Sequence, residues 1–247
     1  MGKLIIANWK ANPATFSEAL KLAKASDFKN VAVAPPYVYL QTLSWTLKKA
    51  TLCAQDTFWE ASGPYTGEIT PSQLKNLKVK YVIVGHSERR KLGETDLMIN
   101  NKVKAAMKAG LKVILCIGED WLTRRKGITA AKNFVASQLK GNLRGIRKKE
   151  ARNRNLLIAY EPIWSISTSK GNRIDTPEDA TQMIRHIRNI LDTRYLIHNT
   201  NILYGGSVNS KNAKSFLSQP EIAGALAGGA SLNPKEFKTI IKISNSL

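Results

Sequence analysis

Cysteine is almost missing from this 247-residue chain. The only two, Cys53 and Cys116, sit inside apolar runs, which reads as buried thiols and argues against a disulfide framework or a cysteine-rich metal site. No apolar run approaches the ~18 residues that cross a bilayer, and the start, MGKLIIANWK, enters a strand-like segment without a signal-peptide pattern. A cytoplasmic protein with no membrane partner is therefore expected. HExxH, Walker, RNP and zinc-finger patterns are all missing, so neither a metal nor an ATP or nicotinamide cofactor has an evident place; the expected cofactor set is none. Acidic residues are scarce: 18 against 38 Lys and Arg, a formal charge of +20. Such a field attracts anionic substrates and polyanions alike. The basic residues are nevertheless scattered over helical segments, densest in RGIRKKEARNR at 144–154, and this reads as a solvated basic surface with no dedicated nucleic-acid partner. No Gly/Ser-rich linker divides the chain, and 43% hydrophobic content suffices for one sizeable core, so residues 1–247 read as one domain.

What is present is a rhythm. Short apolar, often β-branched runs recur at Leu4 to Ala7, Val31 to Ala34, Leu52 to Ala54, Tyr81 to Val84, Val113 to Ile117, Leu156 to Tyr160, Ile202 to Tyr204 and Ala223 to Ala227. Helical patterns lie between them. Phe16, Ala19, Leu20 and Ala23 mark one apolar face; Val103, Ala106, Met107 and Ala109 mark another, stopped by Gly110. Thr176-Pro177-Glu178-Asp179 supplies a cap, a first-turn proline and two acids ahead of a long helix. Near-continuous apolar strands alternating with helices imply a parallel sheet covered by helices. Eight such units in this length favour the α/β class and a single-domain (β/α)8 barrel.

Barrel enzymes build their sites at the C-terminal ends of the strands. The residues there are Asn8 and Lys10, Pro35 and Pro36, Gln55 and Asp56, His86, Gly118 and Glu119, Glu161, Gly205-Gly206-Ser207, and Gly228-Gly229. The last two glycine pairs suit a phosphate, because backbone N–H groups approach an anion closely where no side chain obstructs them. Glu161 is a candidate base. His86 precedes an expected helix start, which disfavours charge on the ring and leaves it to act by hydrogen bonding; Lys10 offers fixed charge to a developing oxyanion. His186 and His198 read as structural or solvated.

ANWK at 7–10, APP at 34–36, PYTGEIT at 64–70, VGHSERR at 84–90, CIGE at 116–119, AYEPIW at 159–164, YGGSV at 204–208 and GALAGGASL at 224–232 follow one another over nearly the whole chain. Together they resemble the triosephosphate isomerase family. The resemblance implies a TIM barrel that forms a homodimer without cofactor and interconverts dihydroxyacetone phosphate and glyceraldehyde 3-phosphate in glycolysis and gluconeogenesis. It implies Glu161 as the proton-carrying base, His86 as a neutral electrophile, Asn8 and Lys10 as substrate ligands, and Ser167, Ser207, Gly228 and Gly229 as phosphate ligands, with a lid after Trp164. Ser87 and Glu88 would support the site. Thr66 would reach a partner subunit, and Glu68 and Arg89 would make a charged contact at the interface.

The chain departs from the family pattern in places. Ser165, Ser167 and Ser169 stand where Ala, Gly and Gly are common, the segment at 171–175 is about three residues longer than usual, and Ala223 replaces a usual Asp.

Overall fold

Eight parallel strands close on one another in chain order, β1 against β8, to complete a barrel. The computed structural model describes residues 2–146, 155–166 and 173–247. The order is β1 (Leu4–Asn8), α1 (Phe16–Ser26), β2 (Val31–Ala34), α2 (Tyr37–Thr46), β3 (Thr51–Ala54), α3 (Pro71–Asn76) and β4 (Tyr81–Val84). Then come α4 (Ser87–Lys91), α5 (Asp96–Lys108), β5 (Lys112–Ile117), α6 (Trp121–Arg124), α7 (Ile128–Asn142) and β6 (Leu156–Tyr160). The chain finishes with α8 (Pro177–Arg194), β7 (Asn201–Tyr204), α9 (Ala213–Leu217), β8 (Gly224–Ala227) and α10 (Pro234–Asn245). All eight expected strands are present, within a residue at each end.

The strands are mainly apolar because each buries both faces. Successive side chains alternate: Ile5, Ala7, Val31, Val33, Val82, Val84, Ile158 and Tyr160 pack outward beneath the helices. Ile6, Ala32, Ala34, Cys53, Tyr81, Ile83, Ile114, Leu157, Leu203 and Leu226 fill the interior. The small residues of β2 and the large ones of β4 and β6 share that interior, so the barrel is packed rather than hollow. Both cysteines are free and buried.

Local signals set the helix ends. Thr176 accepts the Asp179 amide at 3.1 Å and Pro177 begins α8. Thr70 and Gln73 form a reciprocal capping box on α3. Gly110 follows α5 at φ 77, a left-handed conformation that ends the helix as its sequence implied. Two details differ from the sequence reading. Phe16 is 46% exposed, because Ala19 and Ala23 carry the buried face of α1 and leave Phe16 over Tyr39, ring centroids 6.4 Å apart. Lys102 sits on the buried face of α5 at 2% exposure, since acids supply what an apolar pocket cannot. Its Nζ lies 2.7 Å from Asp56 Oδ2 and 2.5 Å from Glu94 Oε1. The basic residues, scattered along the chain, also gather in part: Lys29, Lys48, Lys49, Lys78 and Lys80 are exposed just ahead of β2, β3 and β4, at the end of the barrel opposite the strand C-termini.

Candidate active site

Strand alternation aims most of the site. Trp9 packs outward, so Asn8 and Lys10 share the inward parity of Ile6; Glu161 likewise follows outward-facing Tyr160. His86 has the wrong parity and is brought in differently. Gly85 takes φ 73, a conformation L side chains resist, and this turn breaks the alternation and leaves His86 as the N-cap of α4. Lys10 itself sits at φ 54, at a cost of about 1–3 kcal/mol for a residue with a Cβ. Its backbone is held there by Asn8 Oδ1, which accepts the Lys10 amide at 3.1 Å, and by Gln55 Nε2, which donates to the Lys10 carbonyl at 2.7 Å.

These residues meet in a cavity of about 400 Å³, lined by Asn8, Lys10, His86, Glu161, Ser207, Gly228 and Gly229 among others. That volume suits a small ligand. Glu161 is 2% exposed; its Oε1 lies 3.0 Å from His86 Nε2 and its Oε2 accepts the Ser87 amide at 3.1 Å. On the other side of the ring, Nδ1 accepts the Glu88 amide at 3.2 Å. An amide can only donate, so the ring proton sits on Nε2, facing Glu161. Burial pulls the His86 pKa down, but the Glu161 carboxylate and, less strongly, Glu88 outweigh it, and the net shift is upward. Most of that upward pull belongs to the direct Glu161 contact. A ligand atom inserted between the two would weaken it, leaving burial, the Glu88 amide and the Lys10 charge to favour the neutral ring against the Glu88 carboxylate alone. Lys10 Nζ pairs with Glu88 Oε1 at 2.5 Å, so Ser87 holds Glu161 and Glu88 holds Lys10 in place. Behind Glu161, burial and the Glu161 charge push the Cys116 thiol well above its ordinary pKa, which keeps it protonated.

The opposite wall can receive an anion. Gly228 and Gly229 lead into a short 3₁₀ turn, and the N-terminus of α10, capped by Asn233, opens on the same cavity. Ser207 Oγ donates to the Ser165 carbonyl at 2.8 Å. Glu236 also lines this wall, but its carboxylate is engaged by Ser210, through the amide at 2.5 Å and the hydroxyl at 3.0 Å.

Not every strand-end candidate belongs to the cavity. Glu119 is fully buried and accepts hydrogen bonds from Tyr160 Oη at 3.1 Å and Trp164 Nε1 at 2.9 Å, fixing the turn that follows Glu161. Asp56 joins the Lys102 cluster, and Gln55 acts through the Lys10 backbone. Arg89 lies within its own chain against Glu94 at 2.7 Å and Asp56 at 3.1 Å. Thr66 and Glu68 are exposed on the long β3–α3 connection. Ser167 and Ser169 lie outside the described residues. His186 contacts the Lys132 carbonyl and His198 pairs with Asp192 on the surface, both away from the cavity. Lining residues missed in the sequence include Leu226, whose inward parity on β8 was a usable signal, and Glu236, for which there was none.

The glycines do more than expose amides. A Cβ on Gly118 would collide with the backbone carbonyl of Glu161, and one on Gly205 would lie 2.8 Å from Glu161 Cγ and 3.1 Å from the Tyr160 carbonyl. Gly118→Ala is therefore expected to displace Glu161 and lower kcat by about 100-fold or more, since a shift of order 1 Å in a reacting group has that effect. Steady-state kinetics together with near-ultraviolet circular dichroism, to verify folding, would check it; unchanged kcat in a folded variant would contradict the geometry.

A sequence model of the family described as Triosephosphate isomerase matches residues 3–244. A triosephosphate isomerase of Dictyoglomus thermophilum is 42% identical over 252 residues, covering 97% of this chain and 98% of that protein. One of Thermoanaerobacter sp. strain X514 is 41% identical, covering 96% and 98%, and one of Geotalea uraniireducens is 40% identical, covering 99% and 100%.

Proposed function

The chain belongs to the triosephosphate isomerase family, and from that premise we propose how its residues carry out the reaction. The protein is an isomerase, an intramolecular oxidoreductase that interconverts dihydroxyacetone phosphate and D-glyceraldehyde 3-phosphate, a step of glycolysis. Glu161 removes a proton from the substrate carbon beside the carbonyl. The His86 Nε2–H hydrogen-bonds the carbonyl oxygen as it gains charge, and Lys10, with Asn8, stabilises the enediolate. Glu161 then returns a proton to the neighbouring carbon while His86 helps move the hydroxyl proton between the two oxygens. Each proton taken from the substrate is replaced and its electrons stay within it, so the balance requires no cofactor. Ser207, Gly228 and Gly229 hold the phosphate, and Ser167 completes that set as the family pattern assigns it.

The observation that carries this reading is the convergence in one cavity of a buried carboxylate, an imidazole with its proton on Nε2, a lysine and a glycine-lined anion wall. A coupled assay started from each triose phosphate in turn tests it. Turnover in both directions is expected; a folded protein inactive with both at saturating concentration sinks the reading. Gly229→Val supplies a finer check. A Cβ there meets no atom within 4 Å, so the fold should tolerate the change while the side chain crowds the phosphate wall. KM should rise by roughly 10-fold or more with kcat less affected, and an unchanged KM would remove Gly229 from the phosphate site.

The proposal also takes residues 1–247 as one cytoplasmic domain that forms a homodimer. Residues 60–68, from Glu60 to Glu68, are all exposed, with the Tyr65 ring tilted against Phe58 at a centroid distance of 4.8 Å. So long an exposed connection, held at its base, suits a loop that docks on a partner subunit. Thr66 would meet the partner's site, and Glu68 and the partly exposed Arg89 would form the charged contact.

A further inference from the structure

One buried carboxyl beside the phosphate wall plays no part in the reaction above. Asp175, immediately before the N-cap of α8, is 4% exposed. Its Oδ1 accepts the Thr176 amide at 3.0 Å, whereas Oδ2 is buried without a hydrogen-bond partner among the described residues. The Asp175 amide donates to Ser165 Oγ at 3.2 Å. The Tyr204 hydroxyl approaches both the Asp175 carboxyl and the Ser165 side chain. The Ser165 carbonyl in turn accepts the Ser207 hydroxyl at 2.8 Å. A continuous set of polar contacts thus runs from Asp175 through Ser165 to a proposed phosphate ligand.

Among the described residues, the titratable and charged groups facing Asp175 are Tyr204 on β7, Tyr160 on β6, Arg124 on α6 and Asp179 on α8. Arg124, the cation among them, is already held by Asp179 at 2.9 Å. Burial pushes the Asp175 carboxyl up to about 7; Tyr204, the Thr176 amide and Arg124 oppose the rise and Asp179 adds to it. Asn would fill the same space and keep the Oδ1 contact without a charge. A chain that places an ionisable group there carries a cost that packing does not require.

We propose that Asp175 is a positioning residue whose charge state sets, through Ser165 and Tyr204, whether the Ser207 hydroxyl is free to bind the substrate's phosphate. The inference rests on the isomerase reading and deepens it. When ionised, Asp175 draws the Tyr204 hydroxyl by a charge-assisted contact, turns the tyrosine's lone pairs toward Ser165 and keeps the Ser165 carbonyl on Ser207. It also adds a buried negative charge behind an anion site. Protonation releases both restraints, so anion affinity falls as pH rises through the Asp175 ionisation.

The probe is sulfate, which stays dianionic across the neutral range, so only the protein titrates. Its affinity would be measured by tryptophan fluorescence and as competitive inhibition. Between about pH 6 and about pH 8.5, sulfate affinity of the wild type should fall about 5-fold more than that of Asp175→Asn. The excess should recur in the substrate KM, with kcat alike in the two proteins. Ser165→Ala, which cuts the link but leaves the carboxyl, should abolish the excess; Tyr204→Phe, which keeps the ring stacked on Phe216, should do the same. The sign for stability follows from a folded pKa raised above its ordinary value. The stabilisation is fully present below about pH 3.8 and lost as pH rises through about 7. Asp175→Asn should therefore melt higher than wild type near pH 8.5 and alongside it in acid. Parallel pH profiles of sulfate affinity in wild type and Asp175→Asn would overturn the proposal, as would a melting difference with no affinity excess. A wild type that turns over neither triose phosphate yet shows the sulfate excess would sink the isomerase reading and leave the link standing.

Discussion

Glu161→Gln is expected to lower kcat by roughly three orders of magnitude, within the range that positioned acid–base groups contribute. Affinity for a phosphate-bearing analogue of the enediolate should change much less. The substitution preserves volume and can still accept the Ser87 amide through its carbonyl oxygen, so the geometry of the β6 mouth survives. What it removes is a base that can take a carbon-bound proton. His86→Gln should also reduce kcat strongly. The Nε2–H, 3.0 Å from Glu161, is the donor placed to meet charge developing on the substrate oxygens, and a Gln amide neither matches its reach nor exchanges protons as readily. Steady-state kinetics paired with analogue titration separates chemistry from binding. If turnover and analogue affinity fall together in both variants, the residues are holding the fold and not the reaction.

The largest stability effect should come from Lys102→Met. The lysine ammonium lies between Asp56 and Glu94, and among the described residues the other cation at this cluster is Arg89, 44% exposed. For Glu94, burial raises the pKa but hydrogen bonds from Lys102 and Arg89 more than offset it, so the net shift is downward. Asp56 is raised, burial outweighing Lys102. Removing one partner from a buried ion cluster costs about 3–5 kcal/mol, which for a chain of this size corresponds to a melting temperature lower by roughly 10 °C. The pH dependence supplies the sign check. Without Lys102 both carboxyls would have raised folded pKa values, so the variant's deficit should shrink as pH falls and they are neutralised. Calorimetry at about pH 7.5 and about pH 4.5 would measure it; a deficit independent of pH would mean that lost packing, and not uncompensated charge, is responsible.

Most of the barrel was legible because the strands are mainly apolar on both faces and several helices carry their own stop or start, as at Gly110 and Thr176. The inward aim of Asn8, Lys10 and Glu161 could also be counted off by parity. His86 could not, since its approach depends on the positive φ of Gly85, and one glycine in a sequence does not announce the sign of a dihedral. Lys102 and Asp175 were missed for a related reason. A charged residue in a helix or loop reads as solvated unless its partners are known, and those partners, Asp56 for the first and Tyr204 for the second, lie 46 and 29 positions away in the chain. Glu119 misled in the opposite direction: it ends a strand, as site residues do, but it is turned to Trp164.

The collision that forbids a side chain at Gly118 ties two distant stretches of the chain into one heritable unit. So long as the carbonyl of residue 161 occupies that space, drift at 118 is closed to every amino acid with a Cβ, whatever the gene does elsewhere. Anyone transplanting a different loop onto the end of β6, in nature by recombination or in the laboratory by design, must bring the matching end of β5 with it or keep the path of the Glu161 backbone unchanged.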